Sequence, residues 1–318
     1  MDHNELNARK PSPAGPAEAH TGDVRHYVSL CSQGYAVYLL AQQMALREIE
    51  SVPAVCHVLC MDRGALRIFS ELDVPGMRPT LIEDFADAPL LACKDGRTLG
   101  EYCWTAKPRF LLWVLAQNQD VGQALYVDTD LFPFADLDPV WAQLAEADVL
   151  LFPHRFPPRL MHFENLSGHY NAGMVGARNT PAARQALAWW AERCLEWCFY
   201  RAEDGKLADQ RYLERFPTLF AGVRDCLDEG VNVAPWNVER YAPAARDGAV
   251  WLDGQTPLRL YHFHQYKLLE GRTYRAVSDP VYAIAPEVRR LLYEPYTRAM
   301  DRALALARTV VPGLVPGS

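Results

Sequence analysis

Between Arg25 and Asp130 the sequence alternates short β-prone apolar runs with helical stretches, and the last run ends on two carboxylates one residue apart. The runs are RHYVSL (Arg25 to Leu30), AVCHVLC (Ala54 to Cys60), PTLI (Pro79 to Ile82) and ALYV, which continues into Asp128-Thr129-Asp130. Between them, Tyr35 to Glu50 and Asp62 to Leu72 read as helices. Lys107 to Ala116 reads as a third, with Pro108 in its first turn, where a missing N–H is tolerated. This alternation predicts an α/β fold, a doubly wound, mostly parallel sheet with helices on both faces. Such sheets bind ligands beyond the carboxyl ends of their strands. Asp128 and Asp130 stand at such an end. In a strand, residues two apart point the same way, so the two carboxylates are expected to converge. Two hard oxygen ligands suit Mg²⁺ or Mn²⁺, which keep waters and substrate phosphates as their remaining ligands.

The second half is less regular. Asp148 to Phe152 and Asn171 to Ala177 read as strands, and the two glycines of the latter imply a close approach to its backbone. Pro181 to Arg201 is expected to be a long amphipathic helix whose Trp189, Trp190 and Trp197 pack inward. Lys206 to Glu214 suggests a short helix, Arg259 to Phe263 a late strand and Pro286 to Arg308 an amphipathic helix. The net charge of −7 argues against a nucleic-acid partner, which needs a basic stripe. The first twenty residues lack the apolar core of a secretory signal, and no apolar run approaches the ~18 residues of a transmembrane segment. A cytoplasmic location is the expectation, with the eight cysteines as reduced thiols and none of them in a C-x-x-C pair.

The segment LRLYHFHQYK, Leu258 to Lys267, adds a histidine as a third ligand and a lysine five residues on. Asp-x-Asp followed far downstream by His-Phe-x-x-x-Lys resembles the GT-A fold nucleotide-diphospho-sugar glycosyltransferases. The likeness is to the retaining family that includes glycogenin and the bacterial lipooligosaccharide galactosyltransferases. Its members carry a His-Phe/Tyr-x-Gly signature; here Gln265 stands where glycine is usual. The resemblance implies a metal held by Asp128, Asp130 and His262. His264 would share a strand face with His262, but the family's ligand directly precedes an aromatic residue, as His262 precedes Phe263. Lys267 would face the phosphates and Thr129 the nucleotide. In CSQGYAVYLLA the resemblance puts Tyr35 on the base, against a buried helix-start tyrosine as the alternative. In EYCWTAKPRFLLWVL it puts Lys107 on the donor sugar and phosphates, with Arg109 in reserve. HYNAGMVGARN and KLADQRYL supply Asn171 and Asp209–Gln210 as donor-sugar and reaction-centre residues, although Asp209 also fits a plain helix N-cap. Trp236 and Asn237, in GVNVAPWNVERY, are candidates for the acceptor side. His154, His162 and His169 read as ordinary loop or surface residues.

By this resemblance residues 24–285 form a Rossmann-like GT-A-type domain, after a disordered leader at 1–23 and before a helical tail at 286–318. The tail is expected to pack on the domain, with peripheral membrane contact as the other reading. The implied function is metal-dependent transfer of a sugar from a nucleotide-diphosphate sugar to a glycan, lipid-linked or protein acceptor, with retention of configuration. Three alternatives compete. An inverting GT-A enzyme would use Glu203, Asp204 or Asp209 as base. A haloacid-dehalogenase-type phosphatase also places Asp-x-Asp after a strand, but normally near the start of its domain. The third is a non-catalytic nucleotide-sugar-binding protein.

Overall fold

The structure, a computed structural model, describes residues 24–117, 120–269 and 273–317; the expected leader lies outside them. The strands of the first half are β1 (Arg25–Cys31), β2 (Ala54–Cys60), β3 (Met77–Leu81), β4 (Gln123–Val127) and β5 (Leu131–Pro133). They are followed by β6 (Val149–Pro153), β7 (Tyr170–Arg178), β8 (Val223–Asp225) and β9 (Val231–Val233). Then come β10 (Pro243–Arg246), β11 (Ala249–Leu252), β12 (Thr256–Pro257) and β13 (Leu260–His262). Seven form the central sheet in the order β3-β2-β1-β4-β7-β6-β8. β1 to β4 are parallel neighbours, β7 runs antiparallel to both β4 and β6, and β8 is parallel to β6. β7 thus reverses the direction at the middle of a sheet that is otherwise parallel.

Both faces of the sheet are covered, so its strands are apolar throughout and successive residues enter different cores. Leu125 and Val127 join the core shared with helices 36–49 and 294–310, whereas Ala124 and Tyr126 join that of helices 99–117 and 181–196. The C-terminal helix belongs to the first core through Tyr293, Tyr296 and Met300, and Tyr296 stacks on Phe263 with ring centroids 3.8 Å apart. A small sheet, β5-β13-β9, carries His262 at the carboxyl end of its central strand.

Three expectations need correction. The helix expected from Lys107 begins at Leu99, so Pro108 lies in its interior and removes an intrahelical hydrogen bond. The Pro181 helix ends at Glu196 rather than Arg201. The chain there turns through a tight hairpin, Glu203 to Lys206, whose Asp204 and Gly205 both take positive φ, the requirement of a two-residue turn. Third, β4 ends at Val127, so Asp128 and Asp130 sit on a turn and not on the strand. Their convergence comes from the turn, closed by the Leu131 N–H on the Asp128 carbonyl at 3.2 Å.

Candidate active site

The Asp128–Leu131 turn is fastened from three directions. Gln42, buried on helix 36–49, donates to the carbonyls of Asp128 and Leu131, each at 2.8 Å. The Asp128 N–H donates to Gly173 of β7, and Phe263 N–H donates to the Asp130 carbonyl, both at 2.8 Å. These bonds bring β13 alongside the turn. The result is a group in which ligand atoms of Asp128, Asp130 and His262 all lie within 4.8 Å of one another. His262 Nε2 is 3.1 Å from Asp130 Oδ1. Burial opposes a charge on His262, yet the Asp130 carboxylate overrides it and raises the imidazole above its ordinary value. The spot therefore favours added positive charge, and its two carboxylates and one imidazole suit a divalent cation of the Mn²⁺ or Mg²⁺ type. Gly173 is required here: a Cβ would sit 2.7 Å from His262 Cε1, which is the close approach its strand implied.

Around the triad opens a cleft of about 820 Å³, within the usual range for ligand sites. Asp128, Thr129, Asp130, Asn171, Asp209, Gln210, Lys107, Tyr35 and His262 all line it. Lys267 does not; it is exposed on a two-residue strand paired with Tyr274–Arg275. Arg109 is likewise absent from the lining and pairs with Asp87.

Lys107 is buried and already engaged. Its Nζ lies 2.9 Å from Asp209 and 3.5 Å from Asp128, donates to the Ala172 carbonyl at 3.0 Å, and sits 4.8 Å over the Tyr126 ring. Burial disfavours its charge, but Asp128 and Asp209 outweigh that and hold it protonated. Asp209 makes no capping bond to the short helix 210–215, so the N-cap alternative fails. Gln210 Oε1 accepts from Asn171 Nδ2 at 3.1 Å and the Ala172 N–H at 3.0 Å, while its Nε2 donates to the Ser167 carbonyl at 2.8 Å. Asn171 Oδ1 in turn accepts from the Gly173 N–H. These side chains are preset by neighbours, as a precise site requires.

Tyr35 is 44% exposed and faces the cleft, so the buried-tyrosine alternative does not hold. Its loop is tied from behind, where the Gly317 N–H donates to the Gly34 carbonyl at 2.8 Å and Leu314 is buried. Gln265, in place of the usual glycine, adopts φ +65°, the region glycine favours. Its Oε1 offsets that strain by accepting from Ser278 N, Ser278 Oγ and Asp279 N, each at 3.0 Å.

Several lining residues escaped the sequence reading. Tyr126 donates to Asp128 Oδ1 at 2.6 Å; alternation along β4 placed it on the Lys107 side and could have flagged it. His154, expected as an ordinary loop or surface residue, lies in a loop but is buried in the cleft wall. Burial lowers it to about 3, and its Nδ1 bonds to the Gly168 carbonyl at 2.9 Å. Trp236 lines the cleft 5.1 Å from the His262 ring, while Asn237 is buried behind it, donating to the His154 carbonyl at 2.7 Å. Asp279 lines the cleft too, whereas Glu203 and Asp204 do not.

Two Bacillus subtilis (strain 168) proteins are similar along most of the chain. YfnD is 33% identical over 264 residues, covering 82% of this chain and 84% of YfnD. YfnF is 30% identical over 274 residues, covering 84% and 90%. The chain belongs to the YfnD/YfnF family. No protein-family model matches it. Among solved structures, the galactosyltransferase LgtC in complex with donor and acceptor sugar analogues superposes with a TM-score of 0.54 at 15% identity, covering 92% of this chain and 98% of LgtC. An active-site mutant of LgtC superposes with a TM-score of 0.55. The fold is therefore that of the GT-A-type glycosyltransferases, as the motifs implied. Among the described residues no helix is long and apolar enough to cross a membrane.

Proposed function

We propose that this protein is a metal-dependent glycosyltransferase that moves a sugar from a nucleotide-diphosphate donor to a hydroxyl acceptor with retention of configuration. One observation carries the reading: Asp128, Asp130 and His262 converge at the floor of a cleft of ligand size in a GT-A-type fold. A Mn²⁺ or Mg²⁺ ion held by these three would neutralise charge developing on the departing diphosphate.

The chain's own residues divide the remaining work. Tyr35, exposed at the strand-to-helix loop, offers a stacking face to the base, a contact of ~1–3 kcal/mol. Asn171, Asp209 and Gln210 present hydrogen-bonding groups to the donor sugar from a preset network. Thr129, between the two carboxylates in the cleft lining, would contact the nucleotide. Lys107 positions Asp128 and Asp209 rather than reaching out to phosphate, and the exposed Lys267 would meet phosphate only from the rim. The anomeric bond to the diphosphate breaks, the acceptor oxygen bonds to the same carbon, and the acceptor proton passes to the departing phosphate oxygen.

Retention is supported by what the cleft carboxylates already do. Asp128 and Asp130 belong to the metal group, and Asp209 is neutralised by Lys107. Glu203 is exposed and paired with Arg201 at 2.8 Å. Asp279 is the cleft carboxylate an inverting reaction would recruit, and that reading is kept for this reason. The test screens UDP-, GDP- and TDP-sugars with Mn²⁺, then reads the product's anomeric coupling by proton NMR. An α-linked donor should give an α-linked product. A β product, with activity abolished by Asp279→Ala, overturns retention; no binding or turnover of any donor overturns the proposal as a whole.

A further inference from the structure

Helix 99–117 points one face into the cleft. Leu99, Gly100, Cys103, Trp104 and Lys107 all line it, at the i, i+3/i+4 spacing that stacks side chains on one face. Lys107 reaches to 3.5 Å from Asp128. At about 1.5 Å rise per residue, Trp104 stands about 5 Å and Leu99 about 12 Å further along the helix. That is room for one sugar ring beyond the reaction centre, followed by an apolar rim.

The rim is built of large apolar side chains left in solvent. Leu99 is 52% exposed, Tyr200 75% and Leu166 46%, and all three line the cleft. The Tyr200 ring lies 5.8 Å from that of Trp104. Its backbone is not loose: the Tyr200 N–H donates to the buried Glu101 carboxylate at 2.7 Å, fixing the loop to helix 99–117. Exposed apolar side chains lining the same cleft as a polar site mark a binding surface.

The charges of the cleft say what does not bind there. Its carboxylates are Asp128, Asp130, Asp209 and Asp279, and its permanent cations are Lys107 and Arg201. Lys107 is committed to Asp209 and Asp128, and Arg201 to Glu203 while lying 4.5 Å over the Phe199 ring. Among the described lining residues, each of these cations already has a carboxylate partner, so the cleft offers little to attract an anionic acceptor.

We infer that Leu99, Trp104, Leu166 and Tyr200 form an acceptor subsite for an uncharged apolar aglycone attached directly to the sugar that receives the transferred residue. The inference rests on the glycosyltransferase reading above. Its test is equilibrium binding, measured by titration calorimetry with Mn²⁺ present, of paired methyl and octyl glycosides of the common hexoses, the octyl members kept below their micelle concentration. The octyl member of a binding pair should bind at least about tenfold more tightly, the effect of burying roughly one large side chain's worth of apolar surface. Leu99→Ser/Tyr200→Ala, which alters exposed side chains, should bring the two members of the pair together. Equal affinity of methyl and octyl glycosides, including no binding of either, overturns the inference. So does an octyl preference that survives in the double variant. Nucleotide binding to the same preparation keeps the two readings apart: nucleotide bound without any chain-length preference sinks the subsite alone.

Discussion

Replacing Lys107 by methionine removes the cation paired with Asp209 while keeping most of the side-chain volume. Asp209 is 4% exposed at its side chain, and Lys107 stands 2.9 Å away at 3%. At an effective dielectric of about 20, a pair at that distance attracts by about 6 kcal/mol. Much of this offsets the desolvation of the two charges, so the intact pair contributes little net stability. Breaking it is different: a buried carboxylate left without its cation costs up to about 3–5 kcal/mol, a cost that Asp209, which burial already holds above the ordinary carboxylate range, would limit by taking up a proton. Against a total stability of roughly 5–15 kcal/mol, Lys107→Met should remain folded but unfold at clearly lower denaturant. Asp209→Asn in the same chain should restore most of the loss, because a neutral amide needs no counter-charge. The assay is equilibrium urea unfolding of wild type, both single variants and the double variant. Were the pair of the exposed kind, the cost of Lys107→Met would be about 0–1 kcal/mol. That result, or a double variant no more stable than Lys107→Met alone, refutes the account of a buried Lys107–Asp209 pair.

Other outcomes follow from the same geometry. Mn²⁺ affinity, followed by titration, should fall more than about a hundredfold in His262→Ala and by no more than the ~10–100-fold of a supporting contact in His264→Ala; the reverse order would move the ligand by two residues. Deleting residues 312–318 removes the Gly317-to-Gly34 bond and buried Leu314 behind the Tyr35 loop. Nucleotide affinity by calorimetry should weaken by about tenfold, on the order of one net hydrogen bond, and an unchanged dissociation constant in a folded deletion would separate tail from loop. His57 is buried beside His26, with 3.2 Å between ring nitrogens, and burial lowers it from 6.5 to about 4. The unfolded chain therefore binds this proton first, so stability is full above 6.5 and is lost as pH falls toward about 4, by ~1.4 kcal/mol per pH unit. His57→Phe should flatten that part of a stability–pH curve measured by denaturant unfolding, and an unaltered slope would contradict it.

The elements that depend on local periodicity can be read from residue order alone. β2 spans the AVCHVLC run, and helices 36–49 and 63–72 lie within the stretches their apolar spacing marked. The Asp-x-Asp, a weak signal alone, stood out only together with the histidine–lysine segment far downstream, and the structure brings Asp128, Asp130 and His262 together. Where local signals compete, the reading slipped: Pro108 looked like a first-turn proline, and only packing of Leu111 and Val114 into the core keeps the helix through it. The tertiary structure decided what each polar side chain touches. Gln42 and the Asp128 turn are 86 residues apart, and Tyr200 and Glu101 are 99 apart. No periodicity encodes such pairs, since they form only after the sheet order brings helix 36–49, β4 and β7 together. The same long-range closure turned Lys107 from a free cation into the partner of two carboxylates, buried the loop residue His154 in the cleft wall, and left Lys267 outside the cleft lining. Burial is the physical reason: a charge that folding removes from water must find its partner within the protein, and the sequence lists the charges without saying which of them the fold will enclose.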